Sequence, residues 1–173
     1  MREHNGMRPQ DIVVLLKLVA MGDAKLALKD IAQQLCISAS EVSQSLKRSQ
    51  IAGLVDATKT KLRRQSLVEF LQYGLQYVFP VQLGTMVNGI ATAHAHPFMQ
   101  KTFKTEIPFV WADVQGKERG LNIEPFYPKQ IQAIKNDEIL YKLLALVDVI
   151  RIGKTREIEV AIAELKKIIL NES

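Results

Sequence analysis

Residues 28–48, "LKDIAQQLCISASEVSQSLKR", decide the fold, because two short helical patterns stand there with almost no sequence between them. Apolar residues recur at helical spacing over about residues 29–35 and predict the first helix. Ser38 and Glu41 have the S-x-x-E spacing of a capping box, which predicts the start of the second helix. Helices this short bury little surface alone, so the pair must pack against other parts of the chain.

The sequence on either side of this pair extends the helical pattern. Pro9 suits the first turn of a helix, and helical spacing of apolar residues continues from there until Gly22. In the helix that begins after Ser38, Val42 and Leu46 are predicted to face inward, and the helix is expected to end near Gly53.

Residues 54–66, "LVDATKTKLRRQS", lack helical periodicity and predict a short hairpin. Its first strand is expected near residues 54–57, its polar tip at 58–61 and its return strand to about Arg64. The helix that follows ends at Pro80, which cannot continue it. The inward positions of that helix are predicted to be Leu67, Phe70, Leu71, Leu75 and Val78.

The rest of the chain reads as a mixed segment followed by helices. Within it, residues 107–126 predict a β-hairpin with its turn at 115–117. Residues 136–153 and 158–169 carry helical patterns that predict an αα-hairpin. The expected fold class is therefore mainly α with small β.

Basic charge is concentrated in one window of the chain. The chain of 173 residues has a formal net charge of +5, from 23 basic and 18 acidic residues. Residues 42–68 contain six basic residues and one acidic residue, so this window holds the entire excess and leaves 17 of each sign elsewhere. Such a concentration favours a polyanionic partner over an ordinary solvated face.

The second helix of the pair has a polar outer face. Ser40, Ser43, Gln44 and Lys47 lie on the side away from the apolar positions, with Arg48 toward the flank. Short hydroxyls and an amide let a helix approach a surface closely while offering donors and acceptors. The major groove of DNA admits an α-helix and presents base edges that need those groups.

The stretch "DIAQQLCISASEVSQSLKRSQIAGLVD", followed by the basic "KTKLRR", resembles the winged helix-turn-helix DNA-binding regulators, broadly a bacterial branch of the MarR-like type. The resemblance covers about residues 8–80 and implies an N-terminal DNA-binding domain over that range. It implies that the second paired helix enters the major groove and that the hairpin wing contacts phosphates or the minor groove. Residues 81–173 are expected to complete the core and to form a dimer. The residues expected to bind double-stranded DNA are Ser38, Ser40, Ser43, Gln44, Lys47, Arg48, Lys59, Lys61, Arg63 and Arg64.

Three residues depart from the pattern of that family. Cys36 stands at a turn position where glycine is usual, which predicts a backbone less left-handed than in the family. Ser45 and Ser49 stand where many members have larger apolar residues. As the only cysteine, Cys36 excludes an intramolecular disulfide, and it is expected to be inert packing rather than a redox sensor.

The sequence predicts neither a membrane protein nor an enzyme. Its first ten residues lack the apolar stretch of a signal peptide, and the longest apolar runs are too short to span a membrane, so a cytoplasmic location is expected. No phosphate-binding glycine loop, nucleophile elbow or pair of catalytic carboxylates is present in the sequence. No catalytic residue, cofactor or metal is therefore assigned.

Two weaker patterns leave alternatives open. His94 and His96 would point to one face of an extended segment and could bind a metal, although a polar loop packed on the core is favoured. Six aromatic residues could line an effector pocket, although a small aromatic core is favoured. They are Phe98, Phe103, Phe109, Trp111, Phe126 and Tyr127.

The functional hypothesis is a sequence-specific transcriptional regulator that binds DNA as a homodimer. Leu140, Leu144 and Val147, with the inner face of the last helix, provide more apolar area than a small domain should need, which predicts a pairing surface there. The alternative is that residues 80–128 cover this area within one chain. A different class of function also stays open, a winged-helix interaction protein such as an antitoxin or adaptor for another polypeptide.

Overall fold

A computed structural model describes residues 6–25 and 27–171. These residues form a mainly α-helical fold with one small β-sheet, which confirms the expected fold class. The elements in chain order are α1 (Pro9–Met21), α2 (Leu28–Leu35), α3 (Ala39–Ile51), α4 (Arg64–Tyr73), α5 (Leu75–Val78), β1 (Met86–Thr92), a 3₁₀ turn (Ala93–Ala95), α6 (Pro97–Gln100), β2 (Phe109–Ala112), β3 (Glu118–Asn122), α7 (Gln130–Ile134), α8 (Glu138–Ile152) and α9 (Thr155–Leu170).

The helix α1 begins and ends where the sequence predicts. Pro9 occupies its first turn, and the backbone N–H of Arg8 donates to Asp11 Oδ2 at 2.8 Å, which satisfies a group left unpaired at the helix start. Gly22 ends the helix with a φ of 62°, a positive value that glycine adopts without strain. The helix is buried on more than one side, because every residue from Asp11 to Lys17 is inaccessible to solvent or nearly so.

The turn between α2 and α3 corrects the expectation for Cys36. Cys36 has a φ of 57° and a ψ of 38°, so its backbone is left-handed like that of the glycine it replaces. Backbone hydrogen bonds enforce this conformation, since Ile37 N–H donates to Ala32 O and Cys36 N–H to Gln33 O, as in a Schellman motif. The Cys36 side chain is exposed, so the expectation that it packs in the core is also wrong.

Residues 54–63 form a much smaller hairpin than expected. A single antiparallel bridge joins Val55 and Leu62. Backbone hydrogen bonds from Asp56 N–H to Lys61 O and from Arg63 N–H to Leu54 O flank it. The return strand stops short of its predicted end, because Arg64 already belongs to α4.

The helix predicted over residues 67–79 is divided into α4 and α5 at Gly74. A Cβ atom at this position would lie 3.0 Å from the Phe70 ring, so the close packing at the break favours glycine. The break rotates the last turn, and Val78 is 51% exposed rather than inward-facing. Leu67, Leu71 and Leu75 are buried as predicted.

The sheet is a closed barrel of three strands, and the predicted β-hairpin within residues 107–126 is wrong. Both β2 and β3 pair antiparallel with β1 and therefore run parallel to each other. The sequence analysis missed β1, to which both strands bind. Gly89 allows this closure, because a Cβ atom there would lie only 2.1 Å from the Trp111 carbonyl oxygen.

The helix α8 lies at the centre of the core, against α1, α7, α9, β1 and the 3₁₀ turn. Its apolar surplus, which predicts a pairing surface, is covered within one chain: Leu140, Leu144 and Val147 have no exposed surface. The predicted location of the dimer surface is therefore wrong. The alternative, cover by residues 80–128 of the same chain, holds in part, because β1 and the 3₁₀ turn contact α8 together with α1, α7 and α9. Ile139 is the exception on this helix, since it is 50% exposed.

No helix among the described residues is long and apolar enough to cross a membrane.

Candidate nucleic-acid interface

The buried face of α3 fixes the position of its outer face. Val42 and Leu46 are buried as predicted. Ser45 and Ser49 have no exposed surface. They stand where the sequence comparison predicted larger apolar residues. Their small side chains let α3 approach α1 closely, and the two helices are in contact.

The opposite face of α3 is open to solvent. Ser40, Ser43, Gln44 and Lys47 are all exposed, and their spacing of three or four residues puts them on one side of the helix. Within this face, Gln44 Nε2 donates to Ser40 Oγ at 3.3 Å. The structure therefore brings together the four predicted α3 contacts.

Ser38 has a different role, at the start of α3. Its Oγ accepts a hydrogen bond from Glu41 N–H at 3.1 Å, and its own N–H donates to Glu41 Oε2 at 2.9 Å. The predicted capping box is thus confirmed. The hydrogen bonds from Ser38 hold the pKa of the Glu41 carboxyl below its usual range, which favours the charged form at the positive end of the helix. Ser38 acts first as a helix cap, and its contact with DNA stays a prediction.

Arg48 does not lie on the exposed face. Its Nε and Nη2 donate to the two carboxylate oxygens of Asp11 at 2.8 and 2.7 Å. Asp11 is completely buried, and the Arg48 side chain is only 12% exposed. Hydrogen bonding to Asp11 raises the pKa of Arg48, so the guanidinium stays charged. The negative charge of the Asp11 carboxylate compensates it locally. Arg48 therefore fastens α3 to α1, and its predicted contact with DNA is not supported by its position.

The polar tip after α3 is organised around one carboxylate that the sequence analysis did not single out. Asp56 Oδ1 accepts hydrogen bonds from the N–H groups of Thr60 and Lys61, and Asp56 Oδ2 accepts one from Thr58 Oγ1 at 2.6 Å. The Thr58 hydroxyl and these backbone groups hold the pKa of the Asp56 carboxyl below its usual value. Lys59 has a φ of 58°, a left-handed conformation that this network stabilises. The D-x-T-x-T pattern was the available signal for it.

Three predicted cations of this segment are exposed: Lys59, Lys61 and Arg63. Among the described residues, none of them lies within salt-bridge distance of a carboxylate. Arg64 differs, because its Nη1 donates to the Ile169 carbonyl oxygen at 2.6 Å and so ties α4 to the end of α9. Lys47 joins the three exposed cations as the basic residue of α3.

Hydrogen bonds attach this segment to the end of α3. Gln50 Nε2 donates to the Ala57 carbonyl oxygen at 3.3 Å, and Leu54 N–H donates to Ser49 O at 2.9 Å. These hydrogen bonds join the segment that carries the exposed cations to the end of α3, and the exposed residues of the two elements are here called the α3–turn surface. Its members are Ser40, Ser43, Gln44, Lys47, Lys59, Lys61 and Arg63.

The histidines lie elsewhere and are buried rather than in an extended segment. His94 Nε2 is 2.8 Å from Glu157 Oε2. His96 Nδ1 accepts a hydrogen bond from Phe98 N–H, and burial, together with the charge of Lys142, lowers the pKa of His96 to about 4. Among the described residues, no group of three or more potential metal ligands comes together.

A buried carboxylate anchors Trp111 near the barrel. Asp148 Oδ2 accepts hydrogen bonds from Trp111 Nε1 and Thr92 Oγ1, both at 2.8 Å, and Arg151 donates to its Oδ1. Burial raises the pKa of Asp148, while the Arg151 charge and these hydrogen bonds oppose that rise. With Phe126 also buried, this arrangement supports the aromatic core rather than an effector pocket.

The chain matches no family model, and comparisons with curated proteins and with solved structures found no match either.

Proposed function

We propose that the chain is a sequence-specific DNA-binding regulator that acts as a homodimer and binds through the α3–turn surface. The observation that carries the proposal is the division of α3 into a buried face and an exposed polar face, next to exposed cations. Two short helices joined by three residues, followed by a bridged basic segment, suit a winged helix-turn-helix.

In this proposal each part of the surface has its own role. Ser43, Gln44 and Lys47 read base edges in the major groove. Lys59, Lys61 and Arg63 contact phosphates or the neighbouring minor groove, which contributes affinity without sequence information. The Asp11–Arg48 pair orients α3 without touching DNA.

Salt dependence tests the role of the cations. Each phosphate contact contributes about −0.9 to the slope of log K against log salt, so the double variant Lys61→Ala/Arg63→Ala should flatten the slope by about 1.8. The matched control is Lys101→Ala/Lys104→Ala, which removes two exposed positive charges from the loop after α6. An equal effect of both variants would indicate a general charge effect and would remove the basic segment from the interface.

Discrimination between sequences tests the role of α3. Selection from random duplexes first supplies a preferred site. Gln44→Ala should then reduce the preference for that site over random DNA by a factor that corresponds to about 1–3 kcal/mol. The matched control is Gln33→Ala, which changes an exposed glutamine of α2. Glu41→Ala is unsuitable as a control because it removes the helix cap. Equal loss of affinity for both DNAs would exclude base reading by Gln44.

A second surface supports the proposal of assembly, and it also favours the alternative function of a protein-interaction module. Tyr73, Tyr77 and Val78 are 68%, 76% and 51% exposed, and Tyr73 also lines a groove between α4 and α9. Tyrosine is enriched where proteins bind each other. Light scattering of the intact chain should give the mass of two subunits, and Tyr73→Ser/Tyr77→Ser should give one. A monomer that binds duplexes only weakly and without preference would favour the interaction module.

A further inference from the structure

A tyrosine from the second half of the chain contacts the end of α2. Tyr127 Oη donates to the Leu35 carbonyl oxygen at 2.7 Å, and both residues are buried. Leu35 is the last residue of α2, and the last carbonyl groups of a helix have no partner within the helix. The hydrogen bond therefore satisfies a buried acceptor directly before the three residues that lead into α3.

The turn between α2 and α3 contains a residue that benefits from such support. Cys36 is left-handed, a conformation that is unfavourable for a residue with a Cβ atom. The N–H groups of Cys36 and Ile37 donate to carbonyl oxygens of α2 and hold the turn from within. Tyr127 adds a contact from outside, at the residue next to Cys36. Since only residues 36–38 separate the two helices, the conformation of this turn determines the direction in which α3 leaves α2.

The segment between β3 and α7 fixes the position of Tyr127. Gln130 Oε1 accepts a hydrogen bond from Phe126 N–H at 3.0 Å, and Gln130 N–H donates to the Tyr127 carbonyl oxygen at 3.2 Å. Gln130 is itself buried, and α7, which begins with it, contacts both α2 and α8. Burial raises the pKa of Tyr127, so its hydroxyl keeps the proton that it donates. The tyrosine thus reaches α2 from a packed part of the core.

We propose that Tyr127 is a positioning residue for DNA recognition: its hydroxyl holds the α2–α3 turn, and through it the exposed face of α3, in the orientation that reads base edges. The inference rests on the proposed function and extends it to residues outside 8–80, the range that resembles a winged helix-turn-helix. Because Tyr127 is buried, it does not touch DNA and acts through Leu35. Without the hydroxyl, other orientations of α3 compete, and the affinity falls with the population of the competent one.

Tyr127→Phe tests the proposal, because it removes the hydroxyl and keeps the ring. The loss of one hydrogen bond corresponds to a factor of about two to ten, so the preference for the selected duplex over random DNA should fall by that factor. The salt slope should not change, because the exposed cations keep their phosphate contacts. An unchanged preference would overturn the proposal.

Tyr141→Phe is the matched control. Tyr141 Oη also donates to a backbone carbonyl oxygen, that of Ala91 at 2.6 Å, but this hydrogen bond joins α8 to β1. Each variant loses one tyrosine hydrogen bond and should lose similar stability in urea, yet only Tyr127→Phe should lose preference. Equal loss of preference in the two variants would indicate a general effect of stability and would overturn the proposed role.

Cys36→Gly provides a rescue. Glycine adopts the left-handed conformation without strain, so the turn depends less on Tyr127 when glycine stands there. The double variant Cys36→Gly/Tyr127→Phe should therefore recover part of the preference lost in Tyr127→Phe, so that the two changes do not add. A preference no higher than that of Tyr127→Phe would show that Tyr127 does not act through the turn.

Hydrogen exchange, followed by NMR, measures the turn without DNA. The N–H groups of Cys36 and Ile37 form the hydrogen bonds of the turn, so their exchange should accelerate about two- to tenfold in Tyr127→Phe and not in Tyr141→Phe. Equal rates in the two variants would show that the Tyr127 hydroxyl does not hold the turn and would overturn the proposal. If the chain binds no duplex at all, the proposed function fails, but the exchange rates still decide whether Tyr127 holds the turn.

Discussion

The pair formed by Asp11 and Arg48 provides the sharpest stability prediction. Arg48→Met keeps most of the length and apolar surface of the side chain but removes its charge. Among the described residues, Asp11, which has no exposed surface, then retains only the hydrogen bond from Arg8 N–H. A buried carboxylate that loses its cationic partner is strongly destabilising, because its charge is no longer fully compensated. We therefore expect Arg48→Met to lower the free energy of unfolding substantially.

The magnitude follows from the burial of the two partners. Breaking a buried ion pair typically costs about 3–5 kcal/mol. The Arg48 side chain is 12% exposed, so water reaches the site in the variant, and the lower end of about 3 kcal/mol applies. With an m-value of about 2 kcal/mol/M in urea, the midpoint should fall by about 1.5 M.

Urea unfolding followed by circular dichroism measures this change, and Lys47→Met is the matched control. Lys47 is the adjacent residue of α3 but is exposed, so its replacement should change stability by at most about 0.5 kcal/mol. Asp11→Leu/Arg48→Met removes both charges and should recover most of the loss. A loss in Arg48→Met no larger than that in Lys47→Met would refute the reasoning. For DNA the order reverses: Lys47→Met should reduce the preference for the selected duplex over random DNA, and folded Arg48→Met should not.

Two further predictions concern the buried polar residues. His96 has a folded pKa of about 4, below its ordinary 6.5, so its contribution to stability is complete above pH 6.5 and is lost as the pH falls toward 4. In that window the free energy of unfolding of the wild-type chain should fall by at most about 1.4 kcal/mol per pH unit relative to that of His96→Asn, which retains the helix cap. Urea unfolding at several pH values measures both, and equal pH dependence of the two proteins would contradict the prediction. Thr92→Val removes a hydrogen bond to buried Asp148 and should cost about 1.5–3 kcal/mol. The exposed control Thr102→Val should change the melting temperature little, and equal shifts would contradict a role for the Asp148 contact.

Features that depend on a few neighbouring residues could be predicted from the sequence. The capping box of Ser38 and Glu41 located the start of α3, and Pro9 and Gly22 located the ends of α1. These signals are local, because each satisfies backbone groups within one turn of a helix. The exposed face of α3 was predictable for the same reason: helical spacing alone separates it from the buried face.

Features that depend on distant residues could not be predicted in this way. The sequence placed Arg48 among the DNA contacts, since nothing near it indicates that Asp11, 37 positions earlier, accepts both of its hydrogen bonds. Likewise, β2 and β3 resembled a hairpin because their shared partner β1 lies at least 17 positions away from the strands it pairs with. In both cases the local pattern is compatible with two partners, and only the tertiary packing selects one.

The apolar surplus of α8 was wrongly predicted to form a dimer surface. An excess of apolar positions on one helix indicates that several neighbours cover it, but it does not indicate whether those neighbours belong to the same chain. Here they do, so the apolar pattern of α8 is no evidence for a second subunit. Exposed area is the relevant quantity, and it points to Tyr73 and Tyr77, which the sequence analysis had not singled out. A single α3 reads only a few base pairs, so the proposed function needs a second copy, and these tyrosines offer the surface on which to test for one.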